Sequence, residues 1–445
     1  MNRAHYGEEL PVETPGDLDD VERDFPAGII GDLMREDWRR GQAHDLVGIL
    51  HKNIDIEIDF GDAAYADLPV FLQFKVACAA CGRARISCEC VTVFKGVQLE
   101  HLQFISKNHG PDPPSETVPN VTFGKVGTIE FSRKFNAPLA NTTIHWPTTL
   151  HTIIFGRRYN QPLVNVVWPT SLGSITFGNR FNQPIVVGVT WPTSLRSITF
   201  GHRFNYPIEG VTLPDSLQTI TFGTFFNQPI VNVAWPTSLE TIAFGDNFDR
   251  PIVGVQWPNT LRSITFGHRF NYPIEGVTLP DSLQTITFGT FLNQPIVNVT
   301  WPTSLETITF GRLCNAPIVG AVWPPRLKTI TLGAVFRQPI QGVNWPNSLE
   351  TITFGLTFNN PITGVTWPHS LRSITFGRCF DHPLAGVTWP SGLRNITFGD
   401  NFDQPIAGFA GVTWPNSLRS ITFGKFFRQP IEHVVWPHLL EAITF

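Results

Sequence analysis

The sequence has few charged residues, and neither sign dominates. Only 15% of its 445 residues are Asp, Glu, Lys or Arg, and 32 basic side chains stand against 36 acidic ones, for a formal net charge of -4. A chain so close to neutrality lacks the positive field on which nucleic-acid binding depends. We therefore expect no nucleic acid among its partners.

Long apolar runs are absent as well. No stretch approaches the roughly 18 consecutive apolar residues that a membrane-spanning helix needs. The first residues, Met1 to Glu9, also lack the apolar core of a signal peptide. These two features predict a soluble, cytoplasmic protein that has no membrane partner.

Cysteine is scarce, with six in the whole chain, which is too few for a disulfide scaffold. Four of the six crowd together at Cys78, Cys81, Cys88 and Cys90. Cys-x-x-Cys-Gly can hold Zn²⁺ from a tight turn, whereas Cys-x-Cys is a poorer second half of such a site. Two interpretations stay open: these four residues bind a structural zinc ion, or they form a Cys-rich strand pair in a small core. No other cofactor is expected.

What the sequence does contain is a repeat of 22 residues. The segment Ser197–Gly201, Ser-Ile-Thr-Phe-Gly, recurs at this spacing from Phe200 to Phe398. Its other copies end at Phe131, Phe155, Phe177, Phe423 and Phe445, and Leu99 to Phe104 resembles a degenerate first copy. The array therefore contains about 15–16 units.

Each unit carries the pattern of a short strand and no room for a helix. Ile198 and Phe200 alternate with polar residues, which is typical of a half-buried strand. Pro192 and Pro207 restrict the backbone on both sides of that strand. A unit of this size cannot bury its own apolar side chains, so successive units must stack. The repeat predicts a mainly β solenoid with one long parallel sheet and an extended or 3₁₀ return path.

An asparagine follows the strand in many units. In a stack, each copy would face the next one along the array, and we expect these residues to be buried and to form a ladder that satisfies backbone groups at the turn. The residues concerned are Asn182, Asn205, Asn227, Asn271 and Asn293.

The repeat resembles a known family. A Phe-Asn-x-Pro-Ile segment follows the strand, as in Phe181–Ile185 and Phe226–Ile230, and this pattern is similar to the FNIP repeat family over about three quarters of the chain. The resemblance implies a right-handed leucine-rich-repeat-like solenoid that makes protein–protein contacts. An ordinary leucine-rich repeat has its buried Asn where Arg203 stands here, and Asn205 comes two residues later. Only the general solenoid geometry is therefore expected to carry over.

The repeats argue against catalysis. Residues 195–245 match residues 261–311 with three differences, an offset of three units. Side chains that must meet at one catalytic point do not tolerate such copying, whereas extended binding surfaces do. No metalloprotease, nucleophile-elbow, phosphate-loop or dinucleotide motif is present. We predict a non-enzymatic scaffold that binds an unidentified protein partner.

The predicted binding face is the strand column and the residue just after it, because these side chains vary between units while the core does not. The face includes eleven residues, here called the charged column: Arg196, Gln218, Glu240, Arg262, Gln284, Glu306, Lys328, Glu350, Arg372, Arg394 and Arg419.

The N-terminal part differs from the repeats, which occupy residues 96–445. Residues 1–24 hold eight acidic and two basic side chains and are expected to be a disordered tail. Residues 25–95 predict a small α+β domain or cap, with helices over 25–53 and a strand over 54–60. Some FNIP-type proteins carry an F-box before the repeats, which Asp24-Phe25-Pro26 resembles faintly. The alternative function is therefore substrate recognition for a ubiquitin ligase.

A second alternative comes from the Thr-x-Thr pairs, such as Thr219/Thr221 and Thr285/Thr287. Regular hydroxyl ranks on one sheet resemble those of ice-binding solenoids. The mixed charges beside these ranks argue against ice binding, and threonine also suits any exposed strand.

The last copy of the strand ends at Phe445 without a polar cap. An open end of this kind exposes an unpaired strand edge. Truncation of the sequence and docking onto another chain both explain it. In either case we expect self-association through the C-terminal edge.

Overall fold

Every strand described below belongs to one sheet. A computed structural model describes residues 54–60, 72–78, 82–88, 98–106 and 125–131, short pieces of 133–146, and then 148–185, 188–407 and 412–445. Side-chain surroundings are described from residue 127 onward. Residues 1–53 lie outside the described residues, so the description concerns the compact unit Leu50–Phe445 alone.

The strands are short and evenly spaced from β6 onward. Their bounds are β1 Ile54–Phe60, β2 Leu72–Cys78, β3 Gly82–Cys88, β4 Gln98–Ser106, β5 Lys125–Phe131, β6 Thr152–Ile154, β7 Ser174–Thr176, β8 Ser197–Thr199, β9 Thr219–Thr221, β10 Thr241–Ala243, β11 Ser263–Thr265, β12 Thr285–Thr287, β13 Thr307–Thr309, β14 Thr329–Thr331, β15 Thr351–Thr353, β16 Ser373–Thr375, β17 Asn395–Thr397, β18 Ser420–Thr422 and β19 Ala442–Thr444.

The fold is a parallel β-solenoid, as the repeat predicts. From β5 to β19 each strand pairs in parallel with the next, which gives one 15-strand parallel sheet and about 14 turns of the chain. The register pairs identical repeat positions: Ile264 lies opposite Ile286, and Ile286 lies opposite Ile308. Before this array, β1 pairs antiparallel with β2 and parallel with β4, β2 pairs antiparallel with β3, and β4 pairs parallel with β5.

Three tight turns bring the chain round within each unit. In one unit they are closed by backbone hydrogen bonds from Phe270 N to Gly267 O, from Val277 N to Ile274 O and from Leu283 N to Pro280 O, at 3.2, 3.4 and 3.0 Å. Among the described residues none is helical. The prolines explain this path, because each fixes its own backbone and removes a donor that a helix would need.

The core is a set of side-chain columns that run along the array. Ile, Leu and two Phe positions per unit are almost fully buried, as Ile264, Phe266 and Phe270 show at 0%, 3% and 0% exposure. Phe266 stacks on Phe270 in its own unit at 4.2 Å between ring centroids, and on Phe288 in the next unit at 5.6 Å. Each unit thus closes its core only against its neighbours, as stacking requires.

A Trp column runs beside the Phe columns. Trp235 and Trp257 stack at 6.1 Å with an angle of 12° between their planes. The column is interrupted at Leu213 and Leu279, which are half-buried and pack against the same core.

The asparagine ladder exists, but its members are not buried as expected. The Asn205 side-chain oxygen accepts a hydrogen bond from the Asn227 backbone N–H at 2.8 Å. The Asn271 side-chain oxygen likewise accepts one from the Asn293 backbone N–H at 2.9 Å. Asn205, Asn271 and Asn293 are nevertheless exposed. The preceding residue, Phe204 in one unit, fills the interior, so the asparagine lies at the rim of the turn. The expectation of burial was wrong.

The predicted division of residues 1–95 stays a prediction. The acidic tail over 1–24, the helices over 25–53 and the F-box-like segment at Asp24 to Pro26 lie outside the described residues. The strand β1, Ile54–Phe60, has the bounds that the alternating pattern predicts.

From Gly178 to Gly424, the glycine that follows each strand and its Phe or Leu leaves no room for a side chain between successive units. A Cβ added to Gly267 would lie 1.7 Å from the backbone oxygen of Gly245, whereas a Cβ on Gly276 would meet nothing within 4 Å. Gly276 has a φ of 72°, so a side chain there is strained but not blocked.

We expect Gly267→Ala to destabilise the array far more than the matched change Gly276→Ala. The first change forces two backbones apart and is expected to cost more than about 3 kcal/mol. The second places a non-glycine residue in the left-handed region and is expected to cost about 1 kcal/mol. Urea unfolding followed by tryptophan fluorescence measures both variants, and equal midpoints would contradict the close approach of the units.

Candidate binding surface

The eleven residues of the charged column lie side by side on the sheet. Each precedes a strand, and the backbone N–H of each donates to the carbonyl of its counterpart one unit earlier, for example Glu350 to Lys328 at 2.8 Å. Eight of the eleven are exposed and three, Gln218, Glu306 and Arg372, are half-buried. The preceding leucine points inward and is fully buried, as at Leu349, which leaves the column residue at the surface.

Charges of opposite sign neutralise one another in the middle of the column. Lys328 Nζ lies 2.9 Å from Glu306 Oε2, one unit away, and both side chains are more than a third exposed. Arg419 pairs in the same way with Glu441, the corresponding residue of the last unit. Exposed pairs of this kind contribute little to stability.

Ranks of hydroxyl side chains lie next to the charged column. Thr285 pairs with Thr307, and Thr287 with Thr309, in adjacent strands. All four are half-buried. The surface therefore consists of a projecting charged rank and recessed hydroxyl ranks, a polar face with regular spacing. Ice binding by these ranks stays a prediction.

An apolar group of residues lies at the other end of the strands, in the turn between Gly and the buried Phe. Phe225, Phe291, Leu313 and Leu356 are 50%, 47%, 37% and 53% exposed. Sequence analysis missed these residues. The sequence does contain a signal for them. Two variable residues lie between each strand glycine and the next interior side chain, and that side chain already fills the core, so an apolar residue in the pair is left at the surface.

Titratable side chains do not converge on one point in the described part of the chain. No group of three or more His, Cys, Asp or Glu there is placed to hold a metal ion. Cys314 occupies the position of an interior Phe, and its burial raises the pKa of the thiol. The side chains of Cys78, Cys81, Cys88 and Cys90 are outside the described residues, so the zinc site stays a prediction.

The last unit exposes apolar side chains at the sheet edge. Phe445 is 63% and Val435 is 86% exposed, while Trp436, Leu440 and Ile443 are half-buried. Self-association through this edge stays a prediction.

A carboxylate replaces asparagine in part of the ladder. Asp403 accepts hydrogen bonds from the Arg428 backbone N–H at 2.8 Å and from Gln429 Nε2 at 3.0 Å. The Arg428 backbone N–H, followed by Gln429, holds the pKa of the Asp403 carboxyl below its ordinary value. The ladder thus selects an oxygen acceptor, and aspartate supplies one as well as asparagine does.

The geometry defines a class of protein: a parallel β-solenoid repeat protein with an interior of stacked aromatic rings and a regular polar face. The family model described as FNIP Repeat matches this chain at residues 135–180, 159–189, 181–225, 226–269, 249–291, 270–313, 314–357, 336–379 and 380–412. These matches span more than half of the chain, which therefore belongs to the FNIP repeat family, a group of repeat solenoids that are typically non-catalytic.

A solved structure supports the same fold. The chain is 33% identical to CroV588, described as a novel circular LRR protein, with a TM-score of 0.63 over 80% of this chain. The chain spans 57% of the length of that protein. The pneumococcal vaccine antigen PcpA also matches, at 13% identity over 76% of this chain and 85% of its own, but with a TM-score of only 0.17. No curated protein matches. Within the described residues, no helix is long and apolar enough to cross a membrane.

We expect the pKa of Asp403 to depend on its ladder neighbours. A lowered pKa means that folding favours the carboxylate, so its contribution to stability is present above the ordinary aspartate pKa and is lost as the pH falls through the lowered value. Gln429→Ala removes one donor and is expected to raise the pKa. Carbon-detected NMR titration measures it, with Gln338→Ala as the control because Gln338 donates to the distant Asn315. An unchanged pKa in Gln429→Ala would contradict this assignment.

Proposed function

We propose that this protein is a non-enzymatic scaffold that binds a partner protein through the charged column and the hydroxyl ranks beside it. The observation that carries the proposal is the separation of roles within one repeat. Interior positions keep apolar side chains at nearly complete burial, while the column varies in charge at the surface. Variation confined to an ordered, exposed row is how a repeat surface distinguishes one partner from another.

The regular spacing supports recognition of an extended surface rather than of a small molecule. Parallel strands lie about 4.8 Å apart, so eleven column positions extend over roughly 48 Å. Such a row offers many weak contacts and no enclosed pocket, which suits a protein partner with complementary charges. The membership of a typically non-catalytic repeat family supports the same proposal.

The duplicated segment gives this surface two closely similar parts. Residues 195–245 and 261–311 place the same side chains three units apart, about 14 Å along the sheet. Their contacts repeat as well: Asn232 donates to Glu209 at 3.0 Å, and Asn298 donates to Glu275 at 3.0 Å. A partner with two matching contacts would gain from both at once.

We expect a photo-crosslinker on the column, but not one on the return path, to capture a discrete partner in the cell that expresses this protein. Gln284 and Gln256 are both exposed glutamines, the first in the column and the second in the return segment, so benzoylphenylalanine at Gln284 has a matched control at Gln256.

The charge swap Glu306→Lys with Lys328→Glu keeps the net charge and the ion pair but reverses the pattern, and it is expected to reduce crosslinking from Gln284 about tenfold. Equal capture from both glutamines, or capture that ignores the swap, would contradict binding by the column. Recovery of a ubiquitin-ligase subunit that requires residues 25–95 would instead support the adaptor alternative.

A further inference from the structure

One part of the charged column breaks its balance of signs. Arg372, Arg394 and Arg419 occupy three successive positions of the charged column, with no acidic residue of the column between them. Arg394 N donates to Arg372 O and Arg419 N to Arg394 O, each at 2.8 Å, so the three side chains start from adjacent positions of the ladder. Like charges placed directly opposite one another on neighbouring strands are destabilising. The fold therefore tolerates a repulsion between these arginines that contributes nothing to its stability.

Internal contacts involve the outer two arginines only. Arg372 Nη1 donates to the backbone oxygen of Gly392 at 3.0 Å, and Arg419 pairs with Glu441. Arg394 is exposed, and among the described residues no carboxylate lies within ion-pair distance of it. The residues that directly follow the three arginines are Ser373, Asn395 and Ser420. All three are neutral and carry hydroxyl or amide groups.

We propose that Arg372, Arg394 and Arg419, here named the arginine rank, bind an acidic segment of the partner protein. The proposal deepens the proposed function and rests on it, because it assigns a chemistry to one part of the same surface. A guanidinium group matches a carboxylate with two parallel hydrogen bonds. The neighbouring hydroxyl and amide groups supply further donors for the oxygens of an acidic side chain or of its backbone.

The size of the arginine rank fits a short acidic segment. Two steps of about 4.8 Å give a length of roughly 10 Å, which an extended peptide of three or four residues covers. Acidic side chains stand at both ends of the rank, Glu350 on one side and Glu441 on the other, and Asp400 lies in the turn beyond the strand between them. These would repel a long polyanion such as a nucleic acid, and the net charge of -4 adds to that repulsion.

The test uses the full chain and a fluorescein-labelled peptide of six glutamates, with a peptide of six lysines as the negative probe. Fluorescence anisotropy at low ionic strength is expected to show saturable binding of the glutamate peptide, weakened as salt is added. Arg394→Gln is expected to raise the dissociation constant about tenfold. The matched control is Arg269→Gln, which removes the same charge at an exposed position in the turn after β11, outside the charged column, and it is expected to change binding less than about twofold.

Several results would overturn the proposal. They are no binding of the glutamate peptide, equal losses in both variants, or tighter binding of a single-stranded oligonucleotide than of the peptide. Urea midpoints of the two variants check that both are folded. Failure here leaves crosslinking from Gln284 as an independent test, because a partner captured by the column without using the arginine rank would contradict this inference and still support the proposed function.

Discussion

The lack of room for a side chain between successive backbones, at the glycine after each strand from β7 to β18, is the constraint on which the rest of this structure depends. A Cβ on Gly289 would lie 1.7 Å from the oxygen of Gly267, and one on Gly311 would lie 1.6 Å from that of Gly289. No side chain fits in this space, so each of these units has a glycine there. The repeat length and the register follow, because a unit that is one residue out of step would bring a Cβ into the contact.

In-register stacking makes each repeat position a column with one physical role. In the interior it places ring on ring, at 5.6 Å between Phe222 and Phe244. At the rim it lets the side-chain oxygen of one asparagine accept a hydrogen bond from the backbone N–H of the next unit, as Asn293 accepts from Asn315 at 2.9 Å. On the sheet face it sets the charges in a row, so that a change of one side chain alters one position of a regular surface. The same geometry therefore stabilises the fold and sets the face through which we propose binding.

Sequence patterns predicted the fold well because the repeat samples each position many times. The alternation at Ile198 and Phe200 and the paired prolines fixed a strand with a non-helical return, and both are present. The exposure of Asn205 was not predictable from its repetition, because a ladder forms equally well in the interior and at an exposed rim. The exposed Phe225 and Phe291 were missed for a related reason: composition does not show which of two adjacent apolar residues, such as Phe225 and Phe226 or Phe291 and Leu292, faces inward.

The column residues were predictable as a set, since they precede a strand and vary, but their partners were not. Which neighbouring charges meet depends on the register, which pairs Lys328 with Glu306 and leaves the arginine at position 394 between two others of the same sign. Nothing in a single sequence states what a surface binds. Recognition depends on the partner's shape and charges as much as on those of the column.

The distance between two spin labels tests the stacking most directly. Labels at cysteines introduced for Glu240 and Glu350, in a chain whose native cysteines are replaced by serine or alanine, stand five units apart in the same column. In-register stacking predicts a narrow distance distribution centred near 24 Å, five steps of about 4.8 Å. Labels at Glu306 and Glu350, two units apart, would be closer in proportion. A broad distribution, or a distance that does not grow with the number of units, would contradict the stacked array.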